Sequence, residues 1–146
     1  MNINELLLIV IFFIILFLLI FYNKKSKTYF SKIELKKSPI AGLGVFAKKD
    51  FKVGEIIEIA PIIKEKRENI GGLIEDYIFN VKDEGMTGIA LGYVSLYNHA
   101  DDNNATWKID GDYIIVYCIK DIKKDEEIFV SYGALYWYSR NYLEKK

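Results

Sequence analysis

Three short segments of this 146-residue chain carry groups that could do chemistry: Gly42-Leu43-Gly44, Asn98-His99 and Ser131-Tyr132-Gly133. Each is ambiguous alone. A lone Gly-x-Gly is most often a turn, and this one is no dinucleotide fingerprint. The third glycine is missing, and Val45-Phe46-Ala47 reads as a strand rather than a helix start. His99 is the one histidine, and by itself it fits a general base, a metal ligand or a structural corner. Asp101 and Asp102 stand beside it, but a metal site there would have to rest on carboxylates. The single cysteine, Cys118, can build neither a thiolate zinc site nor an intramolecular disulfide. A serine nucleophile lacks a Gly-x-Ser-x-Gly setting. Tyr132 could be an ordinary tyrosine at the end of a strand.

The elements that must position these groups read as short strands. Ile33-Glu34-Leu35-Lys36 alternates, and Val45-Phe46-Ala47 is brief and apolar. Glu55 to Ile63 is β-branched, with Pro61 suggesting an edge or a bulge. Leu73 to Phe79 suggests a helical turn or irregular chain. Tyr113 to Ile119 is the clearest buried strand, and Glu126 to Ser131 is another. Ala134 to Leu143 is aromatic-rich and fits a short helix. Many short strands at close turn spacing predict a β-rich domain. Lys+Arg and Asp+Glu both number 20, so the net charge is zero. A broad electrostatic grip on nucleic acid needs an excess of positive charge, so direct nucleic-acid binding is not expected.

Ahead of the domain, Leu6 to Tyr22 is uniformly apolar, with no charge, Gly or Pro. As a helix it would span roughly 25 Å, near the thickness of a bilayer core. The expected organisation is a transmembrane anchor over 1–23, a basic tether over 24–30 and one domain over 31–146. Lys24, Lys25 and Lys27 follow the apolar run. The positive-inside rule then predicts a single-pass membrane protein with its C-terminal domain in the cytosol.

Taken in order, the weak signals become specific. Gly-x-Gly-Val-Phe-Ala opens the domain, Asn-His follows about 55 residues later, and Glu-Glu-Ile-x-x-Ser-Tyr-Gly about 30 beyond that. This ordered set resembles the SET-domain protein lysine methyltransferases, from about Ile33 to the C-terminus. It looks closest to the minimal viral SET enzymes. They share a segment like Leu73 to Phe79, an Ala90-Leu91-Gly92 before the Asn-His, and a Tyr136-Trp137 after the Ser-Tyr-Gly.

The resemblance implies a β-rich α+β fold, small sheets of β-clip type with a threaded C-terminal pseudoknot, here preceded by one transmembrane helix. It implies S-adenosylmethionine as cofactor and no metal. Gly42, Leu43 and Gly44 would cradle the cofactor's amino-acid end by close approach of bare backbone. Asn98 would bind the same end, His99 would help hold the adenosine, and Trp137 would pack near the adenine. Tyr132 would be the catalytic tyrosine and a cofactor contact. Tyr77 and Tyr136 would line the lysine channel. Aromatic walls suit a lysine head and its methylated forms.

The implied reaction is methyl transfer from the sulfonium to a lysine ε-amine on a protein. The substrate would be a histone H3 tail or a membrane or virion protein, and the resemblance also allows a homodimer. The alternative is a membrane-tethered SET-like binding module without turnover. Two positions leave the family pattern. Ala100 stands where Ser is usual, and Asn103 stands in place of a Pro, which should loosen that turn.

Overall fold

The computed structural model describes residues 3–24, 32–82 and 85–139. Helix α1 covers Ile3–Lys24. The strands are β1 (Ile33–Lys37), β2 (Leu43–Ala47), β3 (Ile56–Lys66), β4 (Ile78–Asn80), β5 (Met86–Ala90), β6 (Asn98–His99), β7 (Ala105–Asp110), β8 (Tyr113–Cys118) and β9 (Phe129–Val130). Helix α2 covers Ala134–Ser139, and 3₁₀ turns occupy Arg67–Asn69, Gly72–Tyr77 and Val94–Leu96.

The membrane anchor expected over 1–23 is not supported. Among the described residues, no helix is long and apolar enough to cross a membrane. The fold is therefore the β-rich domain without an established transmembrane helix. The single-pass membrane placement and the cytosolic orientation drawn from the flanking lysines lose their basis with it. The tether over 24–30 lies outside the described residues apart from Lys24.

Three sheets make the domain. A five-stranded antiparallel sheet has the order β4-β5-β3-β8-β7, β1 pairs with β2, and β6 pairs with β9 in parallel. Strand β3 is the hub, and Pro61 shows how it is built. Residues 56–61 pair with β8, while 62–66 pair with β5. Pro61 sits at the handover, so its missing N–H falls where one ladder ends and the next begins. The bulge lies between Ile56 and Glu58 instead. Strand β5 (Met-Thr-Gly-Ile-Ala) has no clear alternating pattern and is a strand because β3 and β4 supply its partners. Strand β7, by contrast, alternates apolar and polar residues from Ala105 to Asp110 and pairs with β8.

The core is formed by residues such as Ile33, Val45, Phe51, Ile57, Ile114, Val116, Ile122 and Ile128, each no more than 1% exposed. Burying an aliphatic side chain of this size contributes roughly 1.5–3 kcal/mol. The segment Glu126 to Ile128 adds a further edge to β2, through Ala47 N to Glu126 O at 2.9 Å and Ile128 N to Val45 O at 2.8 Å. This brings the C-terminal part of the chain against the glycine loop.

One core residue is a carboxylic acid. Glu58, on β3, is 1% exposed. It accepts hydrogen bonds from Tyr93 N at 2.8 Å and from the Tyr97 hydroxyl at 2.9 Å. Burial pushes its pKa above the ordinary 4.5, although both hydrogen bonds favour the charged form. The folded protein thus holds this proton more tightly than the unfolded chain does. The stabilisation is complete below pH 4.5 and fades as pH rises through the folded value. A glutamine can still accept from Tyr93 N and donate to the Tyr97 oxygen. Glu58→Gln should therefore gain stability relative to wild type as pH rises from 4 to 7, measured by urea melts across that range. A wild-type-minus-variant difference that stays flat with pH would contradict this.

Candidate functional site

A cavity of about 770 Å³ opens beside the glycine loop. Its lining includes Gly42 and Leu43 of the glycine loop, Asn98, Tyr132, and the rings of Tyr77 and Tyr136. Its volume falls in the range of small-molecule sites. Gly44, His99 and Trp137 do not line it. Gly44 lies against the Glu127 carboxylate, and the rings of the other two pack on Tyr132.

Each lining group is placed by a distant part of the chain. The loop between β1 and β2 closes with Ser38 N donating to Gly42 O at 3.0 Å. Ser38 Oγ also accepts from Ile40 N at 3.0 Å and Ala41 N at 3.4 Å. Gly42 has φ +48°, and a Cβ there would meet nothing within 4 Å, so the bare loop borders open space. Asn98 comes from β6. Its Nδ2 donates to Glu127 Oε1 at 2.8 Å and reaches the carbonyls of Ala41 and Leu43 at 3.2 Å each.

Glu127 was not anticipated as a site residue. It is 8% exposed and accepts from Ser38 Oγ at 2.9 Å through its second oxygen. Its carboxylate fills the volume beside Gly44: a Cβ at 44 would overlap Oε1 and lie 2.8 Å from Cδ. This changes the reading of the Gly-x-Gly. Gly42 is bare toward the cavity, while Gly44 is bare toward a buried carboxylate. The available hint was Gly44 itself, since a glycine inside a strand often marks close approach by another group.

Tyr132 is held from both ends. Its hydroxyl donates to Tyr97 O at 2.8 Å, and its backbone N–H donates to His99 Nδ1 at 3.2 Å. Burial, then the neighbouring Tyr136 and Tyr77 phenols, pushes its pKa up to about 12. The phenol therefore stays protonated through the physiological range. Its ring stacks on Trp137 at 5.9 Å and 27°, with Tyr136 at 4.7 Å.

The lone histidine is a structural member of this cluster. Its Nδ1 accepts a backbone N–H, which puts the proton of the neutral ring on Nε2. Nε2 faces Asp101 Oδ1 at 3.3 Å. Trp137 meets the ring edge-on at 5.2 Å. A base whose accepting nitrogen is occupied by the main chain is poorly placed for proton abstraction. Burial pushes the Cys118 thiol up to about 11, which removes it as a nucleophile. Among the described residues, no group of three or more His, Cys, Asp or Glu could hold a metal ion.

The unusual Asn103-Asn104 pair tightens the chain where loosening was expected. Asn103 Nδ2 donates to Ala105 O at 2.8 Å and closes its own turn. Asn104 donates to Glu127 O at 3.0 Å and accepts from Phe129 N at 2.8 Å, fastening β9 beside β6. Ala100 N still reaches Val130 O at 3.3 Å.

The family described as SET domain matches residues 42–133. The chain belongs to the SET-domain family. This SET domain is 36% identical over 115 residues to the Schizosaccharomyces pombe histone-lysine N-methyltransferase specific for H3 lysine-37, covering 74% of this chain and 78% of that protein. Among solved structures it is similar to a Plasmodium falciparum protein described as a putative histone methyltransferase, with 39% identity, a TM-score of 0.66, and coverage of 73% of this chain and 96% of that one. It also resembles a chain of Chaetomium thermophilum Polycomb Repressive Complex 2, at 28% identity and TM-score 0.57, covering 69% of this chain and 15% of that one.

Proposed function

We propose that this SET domain is an S-adenosylmethionine-dependent protein-lysine N-methyltransferase acting on a basic protein tail, with histone H3 as the first candidate. The observation that carries the reading is the meeting of Gly42, Asn98 and Tyr132 around one cavity, in a chain 36% identical to a Schizosaccharomyces pombe protein named a histone-lysine N-methyltransferase.

The residues present fit the cofactor. Gly42 borders open space, Asn98 lies at the cavity, and Trp137 Nε1 is buried with no hydrogen-bond partner. Gly42, Leu43 and Asn98 would take the amino-acid end, while His99 and Trp137 would support the adenosine end. Gly44 acts indirectly, by making room for Glu127. When bound, the cofactor supplies a methyl group activated by its sulfonium.

The remaining chemistry belongs to the chain. Tyr77 and Tyr136 wall the lysine channel, exclude water and orient the amine for an in-line displacement. Tyr132 spends its proton on the Tyr97 carbonyl, so its oxygen offers lone pairs to the cavity. Those lone pairs can accept weak C–H···O contacts from the polarised methyl. No covalent enzyme nucleophile is required.

Of the acidic residues around the middle of the chain, Glu75 pairs with Arg67 and Glu65 with Asn69, while Asp76 lines the cavity. Asp83 and Glu84 lie outside the described residues. Asp76 is therefore the acidic side chain best placed to meet a basic tail.

Incubating the purified chain with S-adenosylmethionine and histone H3, followed by mass spectrometry, should show +14 Da steps on lysine. Cofactor binding without transfer to H3, to other basic proteins or to the chain itself would leave a binding module and sink the enzyme reading.

A further inference from the structure

We infer that Glu127 is a positioning residue that fixes the polarity of the cofactor site, turning Asn98 so that it offers a hydrogen-bond acceptor to a ligand ammonium group. The inference rests on the cofactor reading above and assigns a task to a residue that does not line the cavity.

The hydrogen-bond pattern leaves little freedom. Both carboxylate oxygens of Glu127 accept, Oε2 from Ser38 Oγ and Oε1 from Asn98 Nδ2. Nδ2 also has the Ala41 and Leu43 carbonyls around it. Three acceptors surround one amide nitrogen, so the Asn98 amide can sit in one sense only. Among the described residues, Asn98 Oδ1 accepts no hydrogen bond from the protein. The group left for a ligand is an acceptor, which suits the ammonium of an amino acid and not its carboxylate.

The carboxylate of Glu127 leaves this seat beside Gly44 only by giving up its contacts with Ser38 Oγ and Asn98 Nδ2. A glutamine at 127 has no consistent arrangement. If its NH₂ faces Asn98, two donors meet, and relief requires the Asn98 amide to flip and present its NH₂ outward. If its NH₂ faces Ser38, it meets a hydroxyl oxygen already accepting from Ile40 N and Ala41 N. The first arrangement reverses the polarity of the site, and the second leaves a buried donor unsatisfied.

The test is a binding cycle. S-adenosylhomocysteine and its desamino analogue, which keeps the carboxylate but lacks the ammonium, are titrated by calorimetry into wild type and Glu127→Gln. Wild type should prefer the parent by about 10–100-fold, the range for one charge-assisted hydrogen bond. In Glu127→Gln the two should bind within about threefold of each other, with desamino binding little changed. A purely structural role would weaken both ligands by the same factor and leave the preference intact, which would overturn the inference.

If Glu127→Gln does not fold, Asn98→Ala tests the premise on which the inference stands, that Asn98 reads the ammonium. Loss of ammonium preference supports Asn98 as its reader, and a retained preference overturns the inference. Failure of wild type to bind S-adenosylhomocysteine at all would instead count against the cofactor reading.

Discussion

Tyr132→Phe should lower kcat for lysine methylation about 10²–10³-fold, the usual cost of losing one pre-positioned polar group at a reacting centre. The cofactor Kd should stay within about threefold. The reason is that the ring and the hydroxyl have separate duties. Phenylalanine keeps the stacking on Trp137 and the contact with His99, 5.4 Å between ring centres. It loses the oxygen that faces the cavity and the donor to Tyr97 O. That carbonyl then lacks one partner, a loss of about 1 kcal/mol in stability.

The wild-type pH profile offers a second check. Since the phenol titrates only near pH 12, Tyr132 should cause no downturn in rate below about pH 10. Any rise toward alkaline pH should survive as the lysine amine loses its proton. A Phe variant within threefold of wild-type kcat, or a loss traced wholly to cofactor binding, would remove Tyr132 from the chemistry.

The second large effect concerns stability. Gly44→Ala should destabilise the domain by about 3 kcal/mol, combining overpacking with disruption of buried hydrogen bonds. Its backbone is ordinary, so the cost comes from the Glu127 carboxylate lying where the methyl group must go. Yielding there means breaking the Ser38 and Asn98 contacts. Gly42→Ala should cost only about 1 kcal/mol, because its methyl enters open space and only the left-handed φ of +48° is penalised. Urea melts of the two variants check the order. Equal losses would show that Glu127 can move aside at little cost.

The family was legible in the sequence because its signature lies in local segments with a fixed order: Gly42-Leu43-Gly44, Asn98-His99 and Ser131-Tyr132-Gly133. Strands β1, β2 and β8 were legible too, because local alternation or a β-branched run marks them without reference to a partner. Local pattern misled where context decides. Pro61 suggested an edge but sits in the central strand. The Glu126 to Ser131 run contributes only Phe129–Val130 as a named strand. The uniform apolarity of Leu6 to Tyr22 pointed to a membrane span that the described helix does not support.

Only the tertiary structure decided what holds the site together. Glu58 and Glu127 look like solvated acids in the sequence, since nothing local marks a carboxylate for burial. Their partners stand 29 to 89 positions away, at Asn98, Tyr97 and Ser38. The two glycines are equivalent as letters, yet one borders a cavity and the other a buried carboxylate. A sequence records which groups are present. Which atom of Asn98 is left for a ligand depends on three acceptors delivered by two other parts of the chain, and that is settled only when those parts pack.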